Sequence, residues 1–180
     1  MLLQTLTLLS LAATGLAQIS GANTTRSFLI KTCLQPNQTS SSNVSRFEDL
    51  YLTSYHTGAG LNDAVLTANA STGIHAFFNT SSVAPTANNS ASLEFVGGAF
   101  PYAFVPTIPT YAGWGFVEIN AGNTGAWVDK GSLRWTLQGF EDWMVCDWWH
   151  GVPQLFAKVG YLNVSVPEGC ATVALEKEYI

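Results

Sequence analysis

Apolar residues in this chain come in short runs, broken by Gly, Asn, Ser or Pro about every eight to twelve residues. No stretch sustains the 3.6-residue repeat of an amphipathic helix, so the punctuation points to an all-β fold. Eleven strands are predicted: Ser27 to Cys33, Phe47 to His56, Asp63 to Ala68, Ile74 to Asn79, Ser92 to Gly97, Tyr102 to Pro106, Gly115 to Asn120, Leu133 to Gln138, Asp142 to Trp149, Pro153 to Val159 and Ala171 to Tyr179. That many strands around one core suit an antiparallel β-sandwich, with a closed β-barrel or a β-trefoil as the alternative. No internal repeat of convincing length is visible, which argues against the trefoil.

Residues 1–17 read as a signal peptide, with an apolar run from Leu6 to Ala13 followed by the small residues of Gly15-Leu16-Ala17. The run is too short to span a bilayer, and nothing later approaches a membrane span. The C-terminal "ATVALEKEYI" is charged where a lipid-anchor signal needs a hydrophobic tail. Residues 18–180 then form a single β domain, long enough for one proper core and too short for two comfortable ones.

Charged residues make up 11% of the chain, well under the roughly 25% of ordinary soluble proteins. Attached sugars would supply the missing solubility. Seven N-x-[ST] sequons occur, at Asn23, Asn37, Asn43, Asn69, Asn79, Asn88 and Asn163, and those that are used must lie at the surface. Two polar stretches, Gln35 to Ser45 and Asn79 to Ser92, carry two sequons each and read as glycosylated loops. The net charge is −5 with the basic residues scattered, so a nucleic-acid footprint is absent.

Three cysteines in an exported chain imply one disulfide and one leftover thiol. Cys146 with Cys170 is the favoured pair, because the segment between them holds a strand, a turn and a return strand. Closing that loop contributes roughly 3 kcal/mol on the chain-entropy account. Cys33 is then either a small buried hydrophobe or a bridge to another chain.

The densest constellation is "DWMVCDWWHGVPQLF", Asp142 to Phe156. On a strand, Met144, Cys146 and Trp148 share one face, while Trp143, Val145, Asp147 and Trp149 share the other. Both faces are largely apolar, as in a strand covered on both sides. The functional alternative is an aromatic platform for a sugar ring, built from Asp147, Trp148, Trp149 and His150. A Cys146–His150 nucleophile pair is disfavoured, since Cys170 offers Cys146 an oxidising partner.

The segment "YHTGAGLNDAVL", Tyr55 to Leu66, has two glycines around Ala59, the signature of a tight turn. His56 and Asp63 flank that turn, and a meeting across it would make a structural pair more readily than a catalytic one. Neither G-x-S-x-G nor H-E-x-x-H is present, and the three histidines, His56, His75 and His150, show no metal spacing. No metal or cofactor is called for. The acidic residues offer no marked catalytic pair.

Four stretches carry a resemblance to a family of small secreted fungal proteins of unknown function: "FLIKT" (Phe28 to Thr32), "LYLTSYHTGAGLNDAVL" (Leu50 to Leu66), "VEINAG" (Val117 to Gly122) and "WMVCDWWHGVPQLF" (Trp143 to Phe156). More loosely, the order of elements is similar to that of phialide-type fungal cell-wall proteins. Those likewise have a first strand opening on phenylalanine (here Phe28 to Ile30), a W-x-x-C segment (Trp143 to Cys146), a Q-[LV]-F-A strand (Gln154 to Ala157) and a final P-x-G-C (Pro167 to Cys170). The chain departs from them at Asp147, where proline is usual, and in "WWHGV". The resemblance implies an extracellular or cell-wall location and carries over no catalytic residue.

A secreted, N-glycosylated, non-catalytic protein is therefore the leading expectation, with cell-wall polysaccharide as its partner. A carbohydrate-binding module using Trp114, Trp127, Trp148 and Trp149 is the alternative. A hydrolase built from His56, Asp63 and His150 is the third reading, and it requires those side chains to converge.

Overall fold

The structure, a computed structural model, describes residues 26–36, 43–79, 92–97, 101–107, 112–121, 127–129, 131–136, 138–148 and 151–180. It is all-β, with no α-helix among the described residues. In chain order the strands are β1 (Phe28–Leu34), β2 (Tyr51–Gly58), β3 (Leu61–Thr67), β4 (Ala76–Asn79), β5 (Ser92–Phe95), β6 (Tyr102–Pro106), β7 (Trp114–Asn120), β8 (Trp127–Asp129), β9 (Leu133–Trp135), β10 (Phe140–Asp147), β11 (Pro153–Val159) and β12 (Cys170–Tyr179). All eleven predicted strands are present. The short β8, which pairs with β9, was not legible because three residues are too few to show a period.

The strands close on themselves. Antiparallel pairings run from β1 through β12, β10, β11, β3, β7, β6, β5 and β4 and back to β1, making a nine-stranded barrel. Closure removes the open edges that a sheet otherwise exposes, and it is the barrel alternative of the sequence reading that the chain adopts. The β2–β3 hairpin is stitched into two seams. Near one, β1 pairs with β4 at Phe28 and with β2 at Lys31. Near the other, β11 and β7 pair directly at Phe156 and Phe116, then splay so that β3 meets β11 at Val65 and β7 at Asp63. The roots of the hairpin, Leu52, Ala64 and Leu66, are buried in the core, while Ser54 to Thr57 stand exposed. Its turn places Gly60 at φ 75°, the left-handed backbone that the glycine permits.

Strand alternation fills the barrel. Trp143 and Val145 of β10, Leu155 and Ala157 of β11, Val173 and Leu175 of β12, and Val117 and Ile119 of β7 all join one buried cluster. Phe104 links it across the interior, with its ring centroid 5.4 Å from Phe95 and 5.8 Å from Trp143. Polar atoms drawn inside are partnered. The Trp143 indole donates to Leu133 O at 2.7 Å. Thr32 Oγ1 donates to Phe47 O at 2.6 Å and accepts from Leu50 N at 3.0 Å, pinning the 3-10 turn Val44–Phe47 against β1.

Cys146 and Cys170 stand directly opposite in the β10–β12 ladder and form the expected disulfide. Cys33 is half-buried and free. Burial pushes its thiol pKa up, so the nucleophilic thiolate is disfavoured.

Candidate functional site

On the outer wall of the barrel, the alternation that buries Val117 and Leu155 sends Trp114, Phe116 and Glu118 outward from β7, and Gln154 and Phe156 outward from β11. β10 contributes Met144 and Cys146 to the same face, and Trp148 follows just past its end. Met144, Cys146, Phe156 and Cys170 make a second, smaller buried cluster there, with Trp114 and Val166 packed against it. The disulfide thus reinforces the outer layer rather than the interior.

This layer opens into a groove of about 300 Å³ lined chiefly by Trp114, Phe116, Trp148 and Phe156, with Thr107 as its polar member. Phe156 forms the floor and is buried, whereas Phe116 is 50% and Trp148 37% exposed, so two aromatic walls face solvent. The Trp148 ring meets Phe156 edge to face at 5.1 Å and Phe116 at 6.4 Å. The start of β7 is braced by close packing. A Cβ on Gly113 would sit 1.7 Å from Val164 Cγ2, so only glycine lets the segment after β11 approach Trp114 this closely.

The outward row of β7 continues past the groove. Glu118 lies two residues beyond Phe116 on the same face and stands opposite Asp63 of β3, which in turn stands opposite Tyr55 of β2. Directly opposed residues on neighbouring strands have Cβ atoms roughly 5 Å apart, so Asp63 and Glu118 share one face of the wall. Among the described residues no three His, Cys, Asp or Glu side chains gather as metal ligands would.

The residues singled out from the sequence separate here. Trp148 joins Trp114 at the groove. Asp147 points to the other face, where it pairs with Arg46 at 2.6 Å, and Arg46 lies over the Phe47 ring at 4.3 Å. Trp149 and His150 lie outside the described residues, and so does the side chain of Trp127. His56 does not meet Asp63. Its Nδ1 is 3.3 Å from Asn62 Oδ1, because the hairpin register sets His56 opposite Asn62 and Asp63 opposite Tyr55, on alternate faces.

Of the sequons, Asn43, Asn69 and Asn163 are exposed. Asn69 Oδ1 accepts from Ser71 N at 3.0 Å. Asn79 is half-buried, and its Nδ2 donates to the buried Glu94 carboxylate at 3.1 Å. Asn23, Asn37 and Asn88 lie outside the described residues.

Two groove residues were missed from the sequence, Phe116 and Phe156, and so was Gln154, two residues before Phe156 on β11. The available signal was that "WGFVEIN" and "PQLFAKV" each carry aromatic residues, Trp114, Phe116 and Phe156, on the face opposite the inward Val117 and Leu155. Elsewhere on β10, burial raises the Asp142 carboxyl pKa, opposed by hydrogen bonds from Trp143 N and from Gln35 Nε2 at 2.5 Å.

A family model described as "Domain of unknown function (DUF7907)" matches residues 25–179. No curated protein and no solved structure matches the chain.

Proposed function

The chain belongs to that family of unknown function, and from its own residues we propose that it is a secreted, N-glycosylated, non-catalytic binding domain that holds cell-wall carbohydrate in the outer groove. The observation that carries this reading is the convergence of Trp114 and Trp148, far apart in sequence, on one groove with Phe116 and Phe156. Aromatic faces pack against the apolar C–H faces of sugar rings. Thr107 within it, and Glu118 two residues beyond Phe116 on the same face of β7, offer acceptors to hydroxyl groups.

Export is supported by the apolar leader, the sequon density and a disulfide that persists in oxidising compartments. The fungal cell wall as destination follows from the resemblance in the short motifs. A binding role rather than hydrolysis is supported by the absence of nucleophile and metalloprotease motifs and by the separation of His56 from Asp63.

The test is sedimentation of the glycosylated mature protein with insoluble chitin, β-glucan and fungal wall, beside Trp114→Ala and Trp148→Ala variants checked for folding. Saturable binding that the folded variants lose is the expected result. No binding to any of the three materials, or binding that survives both substitutions, overturns the reading.

A further inference from the structure

Among the described residues, Gln154 is the feature of the outer wall that packing does not account for. It is 0% exposed, yet neither Nε2 nor Oε1 has a hydrogen-bond partner. Buried amides are ordinarily paired, as the Trp143 indole and the Thr32 hydroxyl are in this same molecule. An isosteric apolar side chain would fill the position without the penalty of an unpaired donor and acceptor.

Its location ties it to the groove. Gln154 stands opposite Cys146, two residues before Phe156 on the same outward face of β11. Trp148 springs from the next outward position beyond Cys146, yet its ring reaches within 5.1 Å of the Phe156 ring. Each strand residue advances about 3.3 Å, so an indole bridging those rows must lie back along the sheet across the row of Gln154. Trp148 is also a partly exposed wall of the groove, and it sits beyond the end of its strand. Trp148, which the ladder does not hold, is thus the side chain that this geometry sets across the row of the amide.

Resting on the carbohydrate reading above, we propose that Gln154 selects an N-acetylated sugar, a β-linked N-acetylhexosamine chain, when the Trp148 indole turns aside. Nε2 donates to the acetamido carbonyl, and Oε1 accepts from the ring hydroxyl beside it. The acetamido methyl rests against Phe156. A glucose unit carries only a hydroxyl in place of the acetamido nitrogen, so it offers Nε2 no carbonyl and leaves the Phe156 ring without its apolar contact. The site therefore discriminates by an acceptor for the amide and an apolar group for the floor, which only the acetamido substituent supplies together.

The experiment titrates soluble N-acetylglucosamine oligomers and β-linked glucose oligomers of equal length into the glycosylated mature protein and its Gln154→Met variant, with thermal unfolding recorded for both. The native protein is expected to bind the N-acetylated oligomer more tightly. Gln154→Met should weaken that binding about tenfold, the ordinary effect of one lost polar contact, while glucose oligomers are unaffected and the unfolding midpoint does not fall. A native protein without preference, or a preference that survives Gln154→Met, overturns the inference and leaves the carbohydrate reading standing. Binding of neither oligomer, with no binding to the insoluble polysaccharides, overturns both. A variant that no longer folds shows the amide to be needed by the fold itself, and that too overturns the inference.

Discussion

The two faces of β10 and β11 are both buried, but they are buried differently. Inward, Trp143 and Leu155 belong to one cluster that every wall of the barrel shares, and the polar Trp143 indole nitrogen is hydrogen-bonded to Leu133 O. Outward, Met144 and Phe156 lie under a thin cover of Trp114, Trp148 and Val166, the neighbouring groove is open, and the Gln154 amide is unpaired. The inner face is organised for stability. The outer face retains exposed aromatic surface and an unsatisfied amide, which is where a ligand can gain binding energy.

Paired tryptophan substitutions give the largest effect. Trp143→Ala removes a side chain that is 1% exposed and is expected to lower stability by about 3–5 kcal/mol in chemical denaturation. Trp148→Ala, at 37% exposure, should lower it by less than about 1.5 kcal/mol. Equal losses at the two positions would erase the distinction between the faces.

Next in size is the crosslink. Replacing Cys146 and Cys170 together with alanine opens a loop of 24 residues in sequence separation and should lower stability by about 2–4 kcal/mol. Because the disulfide lies in the outer cluster, the variant should also weaken carbohydrate binding, whereas an effect on stability alone would detach the groove from that layer.

The smallest effect concerns pH. Burial raises the Asp142 pKa in the folded protein, so its ionised form is penalised there. That penalty is fully present above the folded pKa and disappears as pH falls below the unfolded value. Relative to Asp142→Asn, the native protein should therefore gain stability as pH is lowered from 7 to 4, read from denaturation midpoints. A loss over that range would reverse the assignment.

Much of the fold was legible. The spacing of Gly, Asn, Ser and Pro marked every described strand except β8, and the ranges Tyr102–Pro106 and Pro153–Val159 agree with the structure at both ends. The first half of "FEDLYLTSYH" is instead a 3-10 turn ending at Phe47, followed by a turn, because Thr32 captures Phe47 O and Leu50 N from a distant strand. The site was legible only in part. Trp114 and Trp148 stood out by type, but their partners Phe116 and Phe156 looked like ordinary strand residues, and Gln154 looked like a polar outward one.

Local chemistry by itself determined the period of two, the turns, the pairing of Cys146 with Cys170 and the two-sided burial of the strand from Phe140 to Asp147. These depend on neighbours a few residues apart, or on a hairpin closing over a short loop. The choice of a closed barrel, the splaying of β11 from β7 to admit β3, and the meeting of Trp114 with Trp148 were decided by tertiary structure alone. The order in which strands pair around a ring depends on which edges remain to be satisfied once all the others are in place, and a period of two is the same on every strand.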